Sequence, residues 1–424
     1  MSKNQTKNDA AWEKLFEKYQ ILDSIEKNGI FEIEAAQINK ERESRLMAKF
    51  DHYVNLPQIF KKNHLSILPI SRSKYVLGQF KTHFKVEYDR NLETIPYEFP
   101  LDLESIDYTN LYSENSALLC AFNLGIINDL IGEETQFTVS GRMSVGSFEF
   151  NIKNSQNEKL YLVKVENSQC EIDAGFESQN YLVLIEAKKY EVNDFLIRQL
   201  YYPYKLWSQK LIKKVIPVLM TYSNDVFSFF LYKFEDELDY NSLVLVEQKN
   251  YSIAPEEIYK SDVYRILDNI KFVPETPKIP FPQADSFERL VDLLSLLLEQ
   301  DLTKDEITEN YAFSDRQTYY YTAAGRYLEL IKNYKKLFCL TDEARTILAN
   351  KPKRKNLVLI KKILEHQVFY EAFKLTLTTG EIPSQQPIAE IMSECKVNIG
   401  DSTTGRRIST VKRWISWIWS QIQD

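Results

Sequence analysis

Short apolar segments separated by polar residues fill the middle of the chain and predict the strands of one sheet. Three of them, all rich in β-forming residues, are YLVKVE at 161–166, CEID at 170–173 and YLVLIEAK at 181–188. VIPVLMTY and VFSFFLYKF, further along, predict a last pair of strands. We expect a helix before the strands, from Asn115, and a second one over 193–214 that Pro203 kinks or divides. This order predicts an α/β core with a mixed central sheet over residues 111–271.

Residues 1–110 predict a separate N-terminal module of mixed α/β character. The patterning of 1–50 is helical, and the prolines and β-forming residues of 55–80 predict short strands and turns. Arg72, Lys74 and Lys81 are cations of this module that could touch phosphate, although scattered surface charges explain them more simply.

A proline-rich segment, FVPETPKIPFPQ at 272–283, predicts a linker that ends the core. The sequence DSFE, from Asp285 to Glu288, has the spacing of a helix capping box. An apolar stripe at helical spacing comes next and predicts a buried helix face. Its members are Leu290, Leu293, Leu294 and Leu297.

A weak internal repeat predicts two C-terminal modules, over 284–350 and 351–424. SDRQTYYYTAAGRYLELI at 314–331 aligns without a gap to DSTTGRRISTVKRWISWI at 401–418. A short helix is expected before each copy, namely Lys304–Asn310 and 387–393. A strand and turn, LFCLTDEA, come after the first copy, and helix, turn, helix and wing is the order of a winged-helix module. Helices that only pack are the alternative for both copies.

Composition indicates a well-packed globular chain without a membrane segment. The 424 residues are 44% hydrophobic and 27% charged, and no apolar run approaches the length that spans a bilayer. The beginning, MSKNQTKNDAAWEK, lacks the apolar stretch of a secretory signal, so we expect a cytoplasmic protein. The net charge of −7 is unevenly distributed, with a KPKRK run at 351–355 near the end. Such a run alone is more often a solvated linker than a binding site.

The cysteines and histidines do not form a metal signature. Cys120, Cys170, Cys339 and Cys395 are scattered without a CxxC pair, and the four histidines fit no zinc pattern. Any metal should therefore be held by carboxylate oxygens, which select Mg²⁺, or Mn²⁺, over Zn²⁺.

The stretch CEIDAGFESQNYLVLIEAK carries the candidate chemistry. In a strand, residues two apart project from the same face, so Glu186 and Lys188 should point together, beside the carboxylate of Asp173. Asp173, Glu186 and the backbone carbonyl of Ala187 could hold a divalent cation. Lys188 would then lie near an attacking water and a phosphate, where its charge can stabilise the transition state. A D…ExK string also occurs by chance, but here it ends a long apolar strand and a helix comes directly after it.

These residues resemble the PD-(D/E)xK nucleases, with Asp173, Glu186 and Lys188 at the three motif positions. Ile172 stands at the nominal proline, a commonly tolerated departure. Glu114 is similar to an extra acidic residue of some members, and Gln199, in RQLYYPYKLW, to the glutamine of their next helix. SGRMSVGSFEF, RQLYYPY and SDRQTYYYTAAGRYLELI are similar to a group of bacterial type II restriction endonucleases. The resemblance implies a core with winged-helix modules after it, and Mg²⁺-dependent cleavage of double-stranded DNA that leaves 5′-phosphate and 3′-hydroxyl ends.

Candidate DNA-contacting residues lie in one loop and at the start of two helices. Gly141 and Gly146 should bracket a turn in SGRMSVGSFEF, which carries the first group. The candidates are Arg142, Ser144 and Ser147 in the loop, Arg316, Gln317 and Tyr319 in the first helix, and Thr404, Arg406 and Arg407 in the second. Arginine and glutamine can make paired hydrogen bonds to base edges, although most such residues touch phosphate or solvent.

Three functions remain open from the sequence. The first is a site-specific DNA endonuclease, working as a homodimer and genetically paired with a cognate DNA methyltransferase. The second is a repair, transposition or anti-phage nuclease with the same core. The third is a DNA-binding regulator without catalysis, against which the intact Asp173, Glu186 and Lys188 count.

Overall fold

The computed structural model describes residues 6–100, 102–111, 113–253, 257–275, 279–311, 313–397 and 404–423. No helix in these ranges is both long and apolar enough to cross a bilayer. The chain is mixed α/β, with a seven-stranded mixed sheet at its centre and a helical C-terminal region.

The N-terminal module surrounds a small three-stranded antiparallel sheet of order β1-β3-β2. Its elements are α1 Lys7–Tyr19, α2 Ile21–Asn28, β1 Ile30–Glu34, α3 Ala35–Ile38, α4 Ser44–Met47, a 3₁₀ turn Tyr53–Asn55, α5 Gln58–Lys62, β2 Ser66–Pro69 and β3 Lys74–Gly78. Trp12 and Phe60 meet edge to face in its core, with ring centroids 4.8 Å apart. The prediction that 1–50 is helical was wrong at one place, because β1 lies within that range. Gly29 ends α2 in the left-handed region (φ 83°), and β1 then pairs with β3.

The middle of the chain builds the central sheet. Its elements are β4 His83–Lys85, β5 Thr94–Tyr97, α6 Glu114–Asn123, α7 Ile126–Ile131, β6 Gln136–Ser144, β7 Ser147–Lys153, β8 Leu160–Glu166, β9 Gln169–Glu177, β10 Tyr181–Lys188, β11 Asp194–Leu196, α8 Arg198–Ser208, β12 Lys214–Ser223, β13 Val226–Phe234, β14 Leu243–Ile253, β15 Ile258–Tyr259 and α9 Lys260–Leu267. The strand order is β5-β14-β13-β12-β10-β9-β6. β10 runs antiparallel to β9 and parallel to β12, with α8 as the crossover helix.

Alternating residues of β10 pack into two different apolar clusters. Leu182 and Leu184 join the cluster that contains Leu200 of α8, whereas Val183 and Ile185 join the cluster on the α6 side. Burial on both faces explains why this strand is a continuous apolar run rather than an alternating one.

Several predicted elements of the core have different bounds. The helix predicted from Asn115 is two helices, because Gly125 (φ 78°) separates α6 from α7. In the segment 193–214, β11 comes first and pairs with β4, so the helix is shorter than expected. α8 continues through Pro203, which does not divide it. β6 also continues through Gly141, and the turn lies at Gly146. β4 and β5 pair with strands of the core, although both lie before residue 111.

The C-terminal region shares one apolar cluster that extends from Ile258 to Ile418. Its elements are α10 Phe287–Glu299, β16 Leu302–Thr303, α11 Lys304–Asn310, α12 Asp315–Tyr327, β17 Ile331–Tyr334, β18 Leu337–Leu340, α13 Asp342–Leu348, α14 Pro352–Leu364, α15 Gln367–Thr379, α16 Gln385–Glu394, α17 Thr404–Ser420 and β19 Ile422–Gln423. β16, β18 and β17 form a three-stranded sheet in that order. The predicted leucine stripe is confirmed, since its four members lie buried on α10.

Details at the start of the C-terminal region differ from expectation. The cap of α10 is Ser286 rather than Asp285, and its hydroxyl accepts a hydrogen bond from the Arg289 amide. The described parts of 272–283 contain no helix or strand, while 276–278 lie outside the described residues. The run at 351–355 is not a solvated linker. It opens α14, and the Nζ of its Lys355 is buried 2.7 Å from the carboxylate of Asp225.

The two copies of the repeat differ in the structure beyond their second helix. The strand predicted in LFCLTDEA is β18, which forms a hairpin with β17, whereas the predicted turn is the start of α13. After α17 the described residues contain only β19, which pairs in parallel with β15. Asp401, the first residue of the second copy, lies outside the described residues.

Candidate active site

The residues predicted to carry the chemistry meet where β10 ends beside the middle of β9, because β9 continues past Asp173, where the predicted strand ended. The backbone N–H of Ala187 donates to Oδ2 of Asp173 at 2.8 Å. Oε1 of Glu186 accepts from the Lys188 ammonium at 2.6 Å and from the Gln199 side-chain amide at 2.5 Å. Two strands and the first turn of α8 thus bring these side chains together, from positions 173 to 199.

Strand alternation explains the arrangement. Leu182 and Leu184 face α8, so Glu186 and Lys188, two and four residues further along, face the same way. Both are buried, with 8% and 7% of their surface exposed. Charged groups at this depth are uncommon unless they are paired or serve a purpose, because burial removes their hydration.

Burial disfavours the ionised forms of Glu186 and Asp173. Burial raises the pKa of Glu186 to about 7, although Lys188 works in the opposite direction. Burial likewise raises the pKa of Asp173, again against the influence of Lys188. Burial acts to lower the pKa of Lys188, but the carboxylates led by Glu186 and Glu114 outweigh it and hold that pKa well above its usual value. The lysine is therefore cationic across the physiological range.

Glu114, which the sequence compared with an extra acidic residue of some nucleases, lies beside the other candidate residues. It is the first residue of α6 and lines the same cavity as Asp173 and Glu186. Burial raises its pKa, and the neighbouring Lys188 opposes that shift.

Asp51 is a functional candidate that sequence reasoning missed. It comes from the N-terminal module and lines the cavity beside Lys188. Burial disfavours its charge, but Lys188 and Lys49 hold the pKa of its carboxyl below the usual value. Its Oδ1 is buried and accepts no hydrogen bond from the described residues. The sequence offers no signal for it, because its place depends on how the N-terminal module docks.

A cavity of about 580 Å³ opens over these side chains. Its lining includes the carboxylates of Asp51, Glu114, Glu171, Asp173 and Glu186, together with Lys188 and Gln199. Its cationic lining comprises Arg45, Lys49, Arg72, Arg142 and Arg198. Carboxylates among cations suit a ligand that combines phosphate groups with a divalent cation.

The donor set can be tested against such a cation. Within the described ranges, no group of three or more His, Cys, Asp or Glu side chains is arranged to hold a metal. Asp173 and Glu186 nevertheless supply two carboxylates, and Oε1 of Gln199 is a second buried oxygen without a partner among the described residues. This chemistry fits Mg²⁺, which is commonly bound through one or two carboxylates with water and phosphate in its other positions. The carbonyl of Ala187 as a further ligand stays a prediction.

The predicted loop residues divide into two groups. Arg142 lines the cavity, and its Nε donates to Oε1 of Glu171 at 3.3 Å. Ser144 ends β6 and Ser147 begins β7, and neither lines the cavity.

Two of the predicted residues of the first helix are hydrogen-bonded to neighbouring residues. The Gln317 side chain accepts from the Ser314 amide at 2.8 Å, so it caps α12. Arg316 donates to the hydroxyl of Tyr320 at 2.8 Å, and Tyr319 is 56% exposed.

The second predicted helix, α17, begins close to the beginning of α12. Arg406 on α17 donates to the hydroxyl of Tyr320 at 3.4 Å, which brings the beginnings of α12 and α17 together. Thr404 begins α17. Arg407 is half-buried, and its Nε has no hydrogen-bond partner within the described residues. The geometry thus joins the two predicted groups into one surface, a feature that the sequence did not predict.

Comparisons with known proteins give three matches without an assigned activity. Residues 9–77 are similar to a domain of unknown function (DUF6996), residues 78–252 to another (DUF6997), and residues 289–423 to a third (DUF7226). The third match spans both predicted C-terminal modules, in agreement with their shared apolar cluster. No curated protein and no solved structure matches the chain.

Proposed function

We propose that this protein is a Mg²⁺-dependent endonuclease of the PD-(D/E)xK type that cuts double-stranded DNA at specific sites, as type II restriction enzymes do. The observation that carries the proposal is the meeting of Asp173, Glu186, Lys188 and Gln199 at one end of the central sheet, beneath an open cleft. Buried charges cost stability, and their concentration in a cleft is typical of a catalytic site.

The topology around the site supports the same proposal. Along the chain, the helix α6 is followed by the antiparallel strands β6, β9 and β10, then by the crossover helix α8 and the parallel strand β12. The β7–β8 hairpin is inserted between β6 and β9 as a sheet of its own. The motif residues lie on two adjacent strands of this unit, as a PD-(D/E)xK core requires.

The chain's own residues can divide the work of phosphodiester hydrolysis. Asp173 and Glu186 would hold the cation, while Gln199 donates to Glu186 and fixes its orientation. Once bound, Mg²⁺ polarises a phosphoryl oxygen and lowers the pKa of water. Lys188 stays protonated and offsets the negative charge that develops on the phosphate. A water oxygen would bond to phosphorus as the P–O3′ bond breaks. The water loses a proton to solvent and the departing O3′ takes one up from solvent, which leaves a 5′-phosphate and a 3′-hydroxyl.

The C-terminal region would supply recognition. The order α10, β16, α11, α12, β17 and β18, with the three strands in one small sheet, supports a winged-helix module over 284–350. Arg316, Tyr319 and Arg406 present polar or aromatic groups at one surface, where they could reach bases or phosphates. A homodimer, with one active site for each strand, and a methyltransferase that protects the host site complete the proposal.

Cleavage of mixed-sequence plasmid DNA with Mg²⁺ tests the proposal. We expect discrete fragments from the natural protein and none from Lys188→Ala or Asp173→Ala. Lys164→Ala, which removes a lysine that is 70% exposed on β8, should cut normally. Fragments that persist in both active-site variants would refute the assignment. Cleavage without discrete fragments would favour a repair or anti-phage nuclease, and binding without any cleavage would favour a regulator.

A further inference from the structure

The N-terminal module forms one wall of the cleft, and nothing in the catalytic proposal accounts for that position. We propose that this module binds the phosphate backbone of the DNA strand being cut, through Arg45, Lys49 and Arg72. The inference rests on the proposed nuclease function and extends it by giving the module a ligand, the backbone of nucleic acid.

The first support is geometric. Arg45 belongs to α4, Lys49 lies just after that helix and Arg72 just after β2, yet all three line the cavity that contains Asp173 and Lys188. Two separate segments of the module therefore converge on the opening above the acids. A DNA strand whose phosphodiester reaches those acids would enter a cavity that these cations line.

The second support is that these cations are available. Arg45 is 72% exposed, and its Nε lies 4.0 Å from Glu43. Lys49 is 59% exposed and lies 3.6 Å from Asp51, while Arg72 is exposed. Weak ion pairs between exposed groups contribute little to stability, so exchange for phosphate costs little.

The third support is the positive charge of core residues that line the same cavity. Arg142 and Arg198 line the same cavity from the core. Together with the N-terminal cations they line the cavity that also contains the carboxylates. Backbone phosphates are bound mainly by such lysine and arginine side chains, without regard to base sequence.

The segments of the N-terminal module that line the cavity are hydrogen-bonded to the core. The amide of Glu166 donates to the carbonyl oxygen of Ile70 at 2.8 Å. The hydroxyl of Tyr202 donates to the carbonyl oxygen of Pro69 at 2.9 Å. His83 lies 2.9 Å from the carbonyl oxygen of Phe50, directly before Asp51. The backbone that carries the cations is therefore fixed to the core, which reduces the ordering needed when DNA binds.

Scattered surface charge is the competing explanation, and a matched variant separates the two. The test variant is Arg45→Ala, Lys49→Ala and Arg72→Ala. The control variant is Lys14→Ala, Lys18→Ala and Lys27→Ala, which removes the same charge from exposed positions of the same module that do not line the cavity. Both should fold, because all six side chains are exposed.

The measurement is the salt dependence of DNA affinity, by fluorescence anisotropy with a labelled duplex in EDTA. Each lost phosphate contact lowers the slope of log K against log salt by about 0.9, so the test variant should lose roughly 2–3 units. The control should keep the natural slope. Equal slopes for the test and control variants would overturn the inference while leaving the nuclease proposal intact. A natural protein that neither binds nor cuts DNA would overturn both.

Discussion

The cleft with the candidate active site differs from the C-terminal region in the kind of residue that it buries. In the cleft, Glu186 and Lys188 lie buried on a central strand, surrounded by further carboxylates. In the C-terminal region the buried residues are mostly apolar, and Trp414 packs its ring against those of Phe287 and Phe369. Buried charges oppose stability, whereas packed rings supply it. The contrast indicates that the cleft is built for binding charge and the C-terminal region for holding its surface rigid.

The largest effect that this comparison predicts is a loss of cleavage activity when a carboxylate of the cleft is replaced. Asp173→Asn keeps the shape of the side chain and an oxygen that can accept from the Ala187 amide, but removes one negative charge. We expect cleavage to fall about a thousand-fold, in line with the loss of one strong electrostatic group from an active site. The rate of plasmid cleavage in Mg²⁺ measures this, and circular dichroism checks the fold. A fall of less than tenfold in a folded variant would contradict the role of Asp173.

The next effect belongs to the C-terminal region and concerns stability. Trp414 is fully buried, and its indole N–H donates to the carbonyl of Ala284 at 2.8 Å. Trp414→Ala should lower the free energy of unfolding by about 3–5 kcal/mol, because it leaves a cavity and an unpaired carbonyl. Urea denaturation monitored by circular dichroism measures the change. Trp419→Ala, at a half-buried position of the same helix, should cost much less.

Sequence patterns predicted the features that local periodicity controls. The run at Tyr181–Lys188 had to be a strand, and alternation then placed Glu186 and Lys188 on one face. The leucine stripe of α10 likewise needed only helical spacing. In both cases the signal lies within about a dozen neighbouring residues, so no knowledge of the tertiary structure was needed.

The features that the sequence could not predict depend on contacts between distant segments. Asp51 enters the cleft because the N-terminal module docks on the core, and no periodicity marks it. The buried pairing of Lys355 with Asp225 joins residues from two regions, so a run that resembled a linker became part of an interface. The approach of Arg406 to Tyr320 has the same origin. Contacts between distant segments determine these features, and local sequence patterns carry no information about such contacts.

The pH dependence of stability sharpens the contrast further. Folding raises the pKa of Glu186 from its usual 4.5 to about 7, so the folded state favours the protonated acid. The resulting stability is complete below pH 4.5 and is lost as the pH rises through 7, to a total of about 3 kcal/mol at most. Glu186→Gln cannot ionise and should escape this loss.

Thermal denaturation in EDTA at pH 5 and pH 8 measures the difference. Relative to the natural protein, Glu186→Gln should be stabilised by roughly 1–3 kcal/mol more at pH 8 than at pH 5. Glu149→Gln, at a position on β7 that is 57% exposed, should show no such difference. An equal effect of Glu186→Gln at both pH values would contradict the raised pKa.

The smallest expected effect tests whether the C-terminal surface works as one unit. Arg316 and Arg406 donate to the same hydroxyl of Tyr320, from α12 and α17. If both helices contact one stretch of DNA, each arginine supports the position of the other. Arg316→Ala and Arg406→Ala should then weaken binding non-additively, with the Kd of the double variant raised about twofold less than the product of the single effects.

A double-mutant cycle measured by anisotropy provides the test of that coupling. The control cycle combines Arg316→Ala with Lys412→Ala instead of Arg406→Ala. Lys412 is an exposed cation further along α17, so this cycle should be additive. Additivity in both cycles would mean that the two helices meet in the structure but bind separately. The C-terminal region would then be two recognition elements sharing one apolar core, and its rigidity would serve to space them rather than to merge them.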